Sequence, residues 1–321
     1  MKTHYDAIII GAGPAGLTAG IYLSRAKVDT LILNEGAVGG QMVLTHEIAN
    51  YPGVESISGY ELARNMKNQA LKFGSTIKSN VKITDIQLQE DFKSVTMNGK
   101  DSFTADAVII AAGGKSRSLG VAGEDTFKGR GISYCATCDG EFYQDKEIIV
   151  VGGGNSALEE AVSLTKYASK VTIVHQFDHF QAFEHYVTEA KNNPKIEFIM
   201  ESKIIEFKGD EKLQQVIIQN QRSQEIFEKE IAGVFIFIGY VPNTETFKGK
   251  LELNQWNEIL VDKNMSTNVP GVFAAGDAVA KRYRQVSVAV GEGTVAALSA
   301  AEYLNKFQKE ELASPVNVAL A

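Results

Sequence analysis

The stretch DAIIIGAGPAGLTAGIYLSRA, Asp6 to Ala26, decides the fold. Ala7 to Ile10 is an unbroken apolar run, as expected of a parallel strand buried on both faces. Gly11, Gly13 and Gly16 follow in the G-x-G-x-x-G spacing, and an apolar helical pattern begins within the motif. Gly11 suits a tight turn, Gly13 lets the backbone approach a pyrophosphate, and Gly16 allows close helix–strand packing. The helix N-terminus then presents N–H groups and the positive end of its dipole to phosphate. DTLIL, Asp29 to Leu33, closes a βαβ unit. A hydrogen-bonding partner for a ribose belongs about 20 residues after the first glycine. Asn34 and Glu35 stand there, Glu35 being the better acid and Asn34 equally well placed.

The pattern recurs. KEIIVVGGGNSALEEAVSLTKYASKVTIV, Lys146 to Val174, carries Gly152, Gly154 and Ala157 in the same spacing. A chain with two such units has two nucleotide-binding domains or one duplicated domain. After each unit come short punctuated strands, VKITDIQLQ and KSVTMNG in the first half, KIIEFKGD and LQQVIIQN in the second. DAVIIAAGG and GVFIFIGYVPNT then return to the respective sheets, and GVFAAGDAVA and a helix over 286–305 end the pattern. The expected class is α/β: two Rossmann-like domains, each a parallel sheet with an antiparallel meander. Residues 1–114 and 245–321 form a discontinuous first domain, and residues 115–244 are inserted in it.

Composition excludes several classes. Hydrophobic residues make up 44% and charged ones 22%, which fits a folded globular chain and not a disordered one. The net charge of −7 lacks the basic footprint of a nucleic-acid binder. Lys281, Arg282 and Arg284 form the densest basic run, and read as charges alone they predict a solvated surface. No apolar run approaches the about 20 residues that span a bilayer, and the first strand begins too early for a leader, so a cytoplasmic location is expected.

Chemistry concentrates in SYCATCDGEF, Ser133 to Phe142. Cys135 and Cys138 are the two cysteines of the chain. They cannot complete a four-cysteine zinc site, and as a C-x-x-C pair they suit a redox dithiol. Asp139 directly follows Cys138, where it can exchange a proton with a leaving thiolate. His175 and His179 read as solvated residues rather than metal ligands. At the offsets where the second motif reads its ribose stand His175 and Gln176, with no arginine and no acid.

With GAGPAG, GGQ (Gly39 to Gln41), CATCDG, GGGNSALEEA, FIGYVPNT, GVFAAGDA and YRQ in this order, the chain resembles the low-molecular-weight thioredoxin reductases of the pyridine nucleotide-disulfide oxidoreductase group. The resemblance covers nearly the whole chain. It implies FAD in the discontinuous domain: Gly11, Gly13, Ala15 and Gly16 at the pyrophosphate, Glu35 near the ribose, and Gly40, Gln41 and Asn50 beside the flavin. Asp277 would meet the ribityl chain, and Arg284, Gln285 and Val286 the isoalloxazine region. Gly152, Gly154, Asn155, Ser156, Ala157, His175 and Gln176 would hold a pyridine nucleotide. Cys138 would face the flavin and Cys135 attack the disulfide of a thioredoxin-like protein. A homodimer is implied, as is a swinging inserted domain with flexible crossings at GGKSRSLG and GYVPNTETFKG.

Two departures stand out. The family's H-R-R-x-x-x-R strand end grips the NADPH 2′-phosphate, and here Gln176, Phe177 and Gln181 replace the arginines. The intact glycine turn favours NADH, with NADPH disfavoured and reduced ferredoxin as the alternative donor. A peroxiredoxin or glutaredoxin-like partner is not separable by sequence, whereas a non-catalytic flavoprotein would not need C-x-x-C-D. Ala112 stands where the family has Thr.

Overall fold

The computed structural model describes residues 2–45 and 47–313. The chain begins with β1 (His4–Ile10), α1 (Pro14–Arg25) and β2 (Thr30–Asn34), then α2 (Gly59–Phe73) and β3 (Thr76–Ser79). A meander follows: β4 (Ile83–Leu88), β5 (Lys93–Met97) and the longer β6 (Asp101–Ile110). The crossing strand β7 (Gly114–Ser116) leads to a second set of elements. These are α3 (Glu124–Phe127), β8 (Ile132–Ser133), α4 (Ala136–Asp139), β9 (Glu147–Val151), α5 (Asn155–Leu164) and β10 (Lys170–Val174). Next come α6 (Glu184–Asn192), β11 (Ile196–Ile199), the three strands β12 (Ser202–Gly209), β13 (Leu213–Asn220) and β14 (Ile226–Glu230), and β15 (Gly233–Ile236). The chain returns through β16 (Tyr240–Pro242) to β17 (Val272–Ala274) and α7 (Val286–Ala313).

Two compact units result: Met1–Lys115 with Val241–Ala321, and Ser116–Tyr240. In the first, the sheet runs β3-β2-β1-β6-β5-β4, and β17 also pairs with β6. Two partners share one edge of β6 because it is long: β5 takes its first half antiparallel, and β17 takes Val108 to Ile110 parallel. In the second unit, a parallel sheet β11-β10-β9-β15-β8 is accompanied by the antiparallel β12-β13-β14. Each glycine turn leaves the C-terminal end of a central strand, β1 or β9, where open α/β sheets place their ligands.

The central parallel strands β1 and β9 end in apolar, buried runs. Ile8, Ile9 and Ile10 on β1 and Ile148, Ile149 and Val150 on β9 are buried, each side chain worth about 1.5–3 kcal/mol of transfer free energy. In the first unit α1 and α7 cross closely. A Cβ at Gly293 would lie 2.3 Å from the Ala15 carbonyl oxygen, so the small residues of α7 are a packing requirement. This helix runs to Ala313, beyond the sequence expectation.

Both crossings contain regular structure. β7 and β16 pair as a two-stranded ribbon. The Asn243 N–H donates to the Gly113 carbonyl within the first unit, and the Arg117 N–H to the Gly239 carbonyl within the second, both at 2.9 Å. Asn243 Nδ2 also donates to the carbonyl of Ala112, 2.9 Å away.

Candidate active site

The dithiol sits on a short ledge of the second unit. β8 ends at Ser133, Tyr134 turns the chain, and Cys135 caps the single helical turn of α4. Cys135 and Cys138 are joined in a disulfide, with Cα atoms 5.3 Å apart. Cys135 Sγ accepts from the Cys138 N–H at 3.2 Å, so a backbone dipole points at this sulfur. Asp139 is half-buried beside the pair. Burial pushes its carboxyl above the usual carboxylate range, and a hydrogen bond from the Ser133 hydroxyl partly offsets this. Tyr143, packed edge-on against Phe235, is pushed up to about 12 by burial and by the Asp139 charge.

The ledge is braced by a residue that the sequence does not mark. Buried Glu124 accepts from the Leu119 and Gly120 N–H groups at 3.0 and 2.7 Å and from the Tyr134 hydroxyl at 2.6 Å. A buried carboxylate with three donors is stable where an unpaired one would not be. Ser133, Glu124 and Tyr134 lie near a visible motif, but nothing in their spacing distinguishes them from ordinary polar residues.

The first unit builds a bare backbone cradle. Gly11 has φ +106°, and a Cβ there would lie 2.2 Å from the Ala111 carbonyl oxygen. At Gly16 it would lie 1.9 Å from the Gly11 carbonyl oxygen. Gly13 faces Gly40, whose own Cβ would come within 3.2 Å of the Gly13 Cα. No side chain caps α1. Asn34 spends its side chain on this loop: Oδ1 accepts from the Ala12 N–H (2.9 Å), and Nδ2 donates to the carbonyls of Gly36 and Ala37 (2.6 and 3.1 Å). Glu35 is exposed, with Oε1 accepting from the Ile83 N–H at 3.0 Å. Gln41 and Asn50 are exposed as well. Beyond β17, Gly276 at φ +75° packs against Ala15, and its N–H donates to Glu292. Burial raises the carboxyl of Asp277, while Lys281 and Arg284 pull it down. Of the basic run, Arg282 is exposed as expected, but Lys281 pairs with Glu292 and Arg284 with Glu258, and Arg284 leads through Gln285 into Val286 at the start of α7. Charge counting missed this because the partner acids are distant in sequence.

The second turn is likewise bare. At Gly152, φ is +140°, and a Cβ would lie 2.3 Å from the Phe237 carbonyl oxygen; at Gly154 the space is open. Ala157 is fully buried under the turn, and Ser156 is exposed. The segment after β10 folds back over the turn. The Gln181 N–H donates to the Gly153 carbonyl at 2.8 Å, and Asn155 Oδ1 accepts from the Phe183 N–H at 2.8 Å. His175 departs from expectation. It is 4% exposed, its ring lies where a Gly153 Cβ would meet it at 2.3 Å, and Phe180 stacks on it. Burial pushes the ring below the usual imidazole range, and His175 is a wedge under the turn rather than a solvated residue. Gln176 and Phe177 are exposed. Asp178 accepts from His179 and is held low by that bond. A cation does approach from the β13–β14 hairpin: Arg222 adds to the lowering of Asp178, and its guanidinium lies 3.9 Å from Glu201. Among the described residues no group of His, Cys, Asp and Glu could hold a metal ion, and no helix is long and apolar enough to cross a membrane.

A family model described as pyridine nucleotide-disulphide oxidoreductase matches residues 5–293. The chain belongs to this family. It is 44% identical to a thioredoxin reductase of Peptoclostridium acidaminophilum, over 95% of this chain and 98% of that protein. It is also 44% identical to a "34.2 kDa protein in rubredoxin operon" of Clostridium pasteurianum, over 94% of this chain and 98% of that one. The crystal structure of a thioredoxin reductase from Streptococcus pyogenes superposes with a TM-score of 0.92 at 40% identity, covering 96% of this chain and all of that one. The protein is therefore an FAD-dependent disulfide oxidoreductase of the low-molecular-weight thioredoxin reductase type. The first unit fits FAD: Gly11 and Gly16 are required by the turn's own backbone contacts, and Gly13 with the uncapped start of α1 leaves bare backbone for a pyrophosphate.

Proposed function

We propose that the protein is a thioredoxin-disulfide reductase that draws electrons from NADH in preference to NADPH. FAD is held by residues 1–114 with 245–321, and residues 115–244 carry the nucleotide turn and the dithiol. Support for the partner comes from the relatives named thioredoxin reductase and from the Cys135–Cys138 disulfide beside a half-buried acid. The observation that carries the donor choice is the segment after β10. Gln176, Phe177 and Gln181 are neutral and exposed, and the charge nearest them in sequence is the low-lying carboxylate of Asp178. A 2′-phosphate needs guanidinium forks, and a carboxylate repels it. Arg222 is a single guanidinium on the hairpin, 3.9 Å from Glu201, where three arginines stand in the family motif. A plain ribose hydroxyl can hydrogen-bond to Gln176.

The chemistry that bound FAD would supply is acceptance of a hydride and delivery of an electron pair to the disulfide. The remaining chemistry belongs to the chain. Reduction of the disulfide takes up an electron pair and one proton, which Asp139 delivers to Cys138 and takes back when Cys138 later attacks; Cys135 is left as the thiolate. The Cys135 thiolate, stabilised by the Cys138 N–H, attacks the partner disulfide and releases one thiolate; Cys138 then attacks Cys135, re-forming the disulfide and releasing the second. The test is anaerobic flavin reduction with NADH, NADPH and reduced ferredoxin in parallel. NADH is expected to be the efficient donor. Equal or better reduction by NADPH refutes the reading of the strand end, and reduction by ferredoxin alone transfers the donor role to a protein.

A further inference from the structure

We infer that Ser133 is a positioning residue for the reaction, a buried hydroxyl that ties the backbone of the attacking cysteine to the carboxyl of the acid that serves the dithiol. The inference rests on the dithiol reading above and adds a residue to it. Ser133 is the last residue of β8 and 4% exposed. Its Oγ accepts from the Cys135 N–H at 3.1 Å and donates to Asp139 Oδ2. One hydroxyl thus spans the chain on both sides of the C-x-x-C, from the residue that begins it to the residue that follows it. A hydroxyl has one proton and two lone pairs. The Cys135 carbonyl, 3.3 Å away, is a second acceptor for that proton, but the Asp139 carboxyl is much the nearer, so the proton goes to Asp139 and a lone pair takes the Cys135 N–H.

The strand makes this bridge rigid. β8 pairs with β15 through Ile132 and Ser133, which fixes the Ser133 Cα to the sheet, while α4 is a single turn held from within by the Cys135–Cys138 disulfide. Without the hydroxyl, the Asp139 carboxyl would keep its burial and lose a donor. Because the donor stabilises the ionised form, its loss moves the Asp139 titration upward. Tyr143 is the titratable side chain on the turn after α4 that feels the Asp139 charge; held up to about 12, it stays neutral through the range of the assay.

The test uses the oxidised holoenzyme with carbon-13 in its aspartate carboxyls, the Asp139 signal being assigned by its loss in Asp139→Asn. Ser133→Ala is expected to move the Asp139 midpoint upward by about one pH unit, a roughly tenfold change in the protonation equilibrium. Ser133→Cys, of similar volume and a weaker donor, is expected to move it in the same direction by less. Ser133→Thr, which keeps the hydroxyl, restores it. An unmoved midpoint in Ser133→Ala and Ser133→Cys overturns the inference, whatever happens to thermal stability. The limb on which thioredoxin reduction falls with rising pH should shift upward with the midpoint. If the midpoint moves and that limb does not, Asp139 is not the acid of the reaction, and the failure lies in the underlying reading rather than in the Ser133 contact.

Discussion

The double substitution Gln176→Arg and Phe177→Arg probes the donor site most directly. Both side chains are exposed, so two guanidinium groups can be added without opening the core. The cost is local: Phe177 stacks with His179 and meets His175 edge-on, contacts worth about 0.5–1.5 kcal/mol each. Those losses fall on folding rather than on nucleotide binding. A charge-assisted pair to a phosphate is worth about 1.5–3 kcal/mol, and solvent exposure reduces that to about 1 kcal/mol. Two such pairs, opposed by Asp178, should tighten NADPH by about 10- to 30-fold. NADH, with no 2′-phosphate, should change by less than about threefold. The assay is steady-state KM for each nucleotide with thioredoxin as acceptor, together with nucleotide binding to the oxidised enzyme. An unchanged NADPH-to-NADH ratio would mean that this segment does not reach the ribose and would refute the reasoning.

Cys138→Ser should still allow flavin reduction but halve the electrons taken up per flavin in anaerobic titration; full uptake would place the second redox couple elsewhere. Gly11→Ala puts a Cβ against the backbone carbonyl of Ala111 at a φ that disfavours it, so flavin absorbance per chain should fall by more than about tenfold. Asp139 binds its proton more tightly folded than unfolded, so its contribution to stability falls as pH rises through the usual carboxylate range and stays unfavourable above its raised folded value. Asp139→Asn should therefore unfold at a higher temperature than the parent near about pH 8, with the advantage shrinking toward about pH 4, while thioredoxin turnover drops.

Much of the architecture was legible because it rests on local rules. A buried parallel strand must be continuously apolar, and a turn that lets backbone approach phosphate must be glycine. Gly11 and Gly152 therefore declared both Rossmann-like units, and C-x-x-C-D declared the dithiol. Cations and acids were less readable. Lys281 and Arg284 looked like surface charges until the fold brought Glu292 and Glu258 to them. His175 stood at a ribose offset, but the chain folding back over Gly153 turned it inward. Arg222 approaches Asp178 from a hairpin with no motif at all.

The sequence by itself determined which groups are chemically special, since the backbone conformations and the sulfur pair require particular residue types at fixed short spacings. Tertiary structure decided which ordinary residues serve them. Ser133 is one serine among many until a strand end and a helical turn place its single hydroxyl between the Cys135 amide and the Asp139 carboxyl. Hydrogen bonds and burial depend on distance in space, and distance in space is what a linear pattern does not contain.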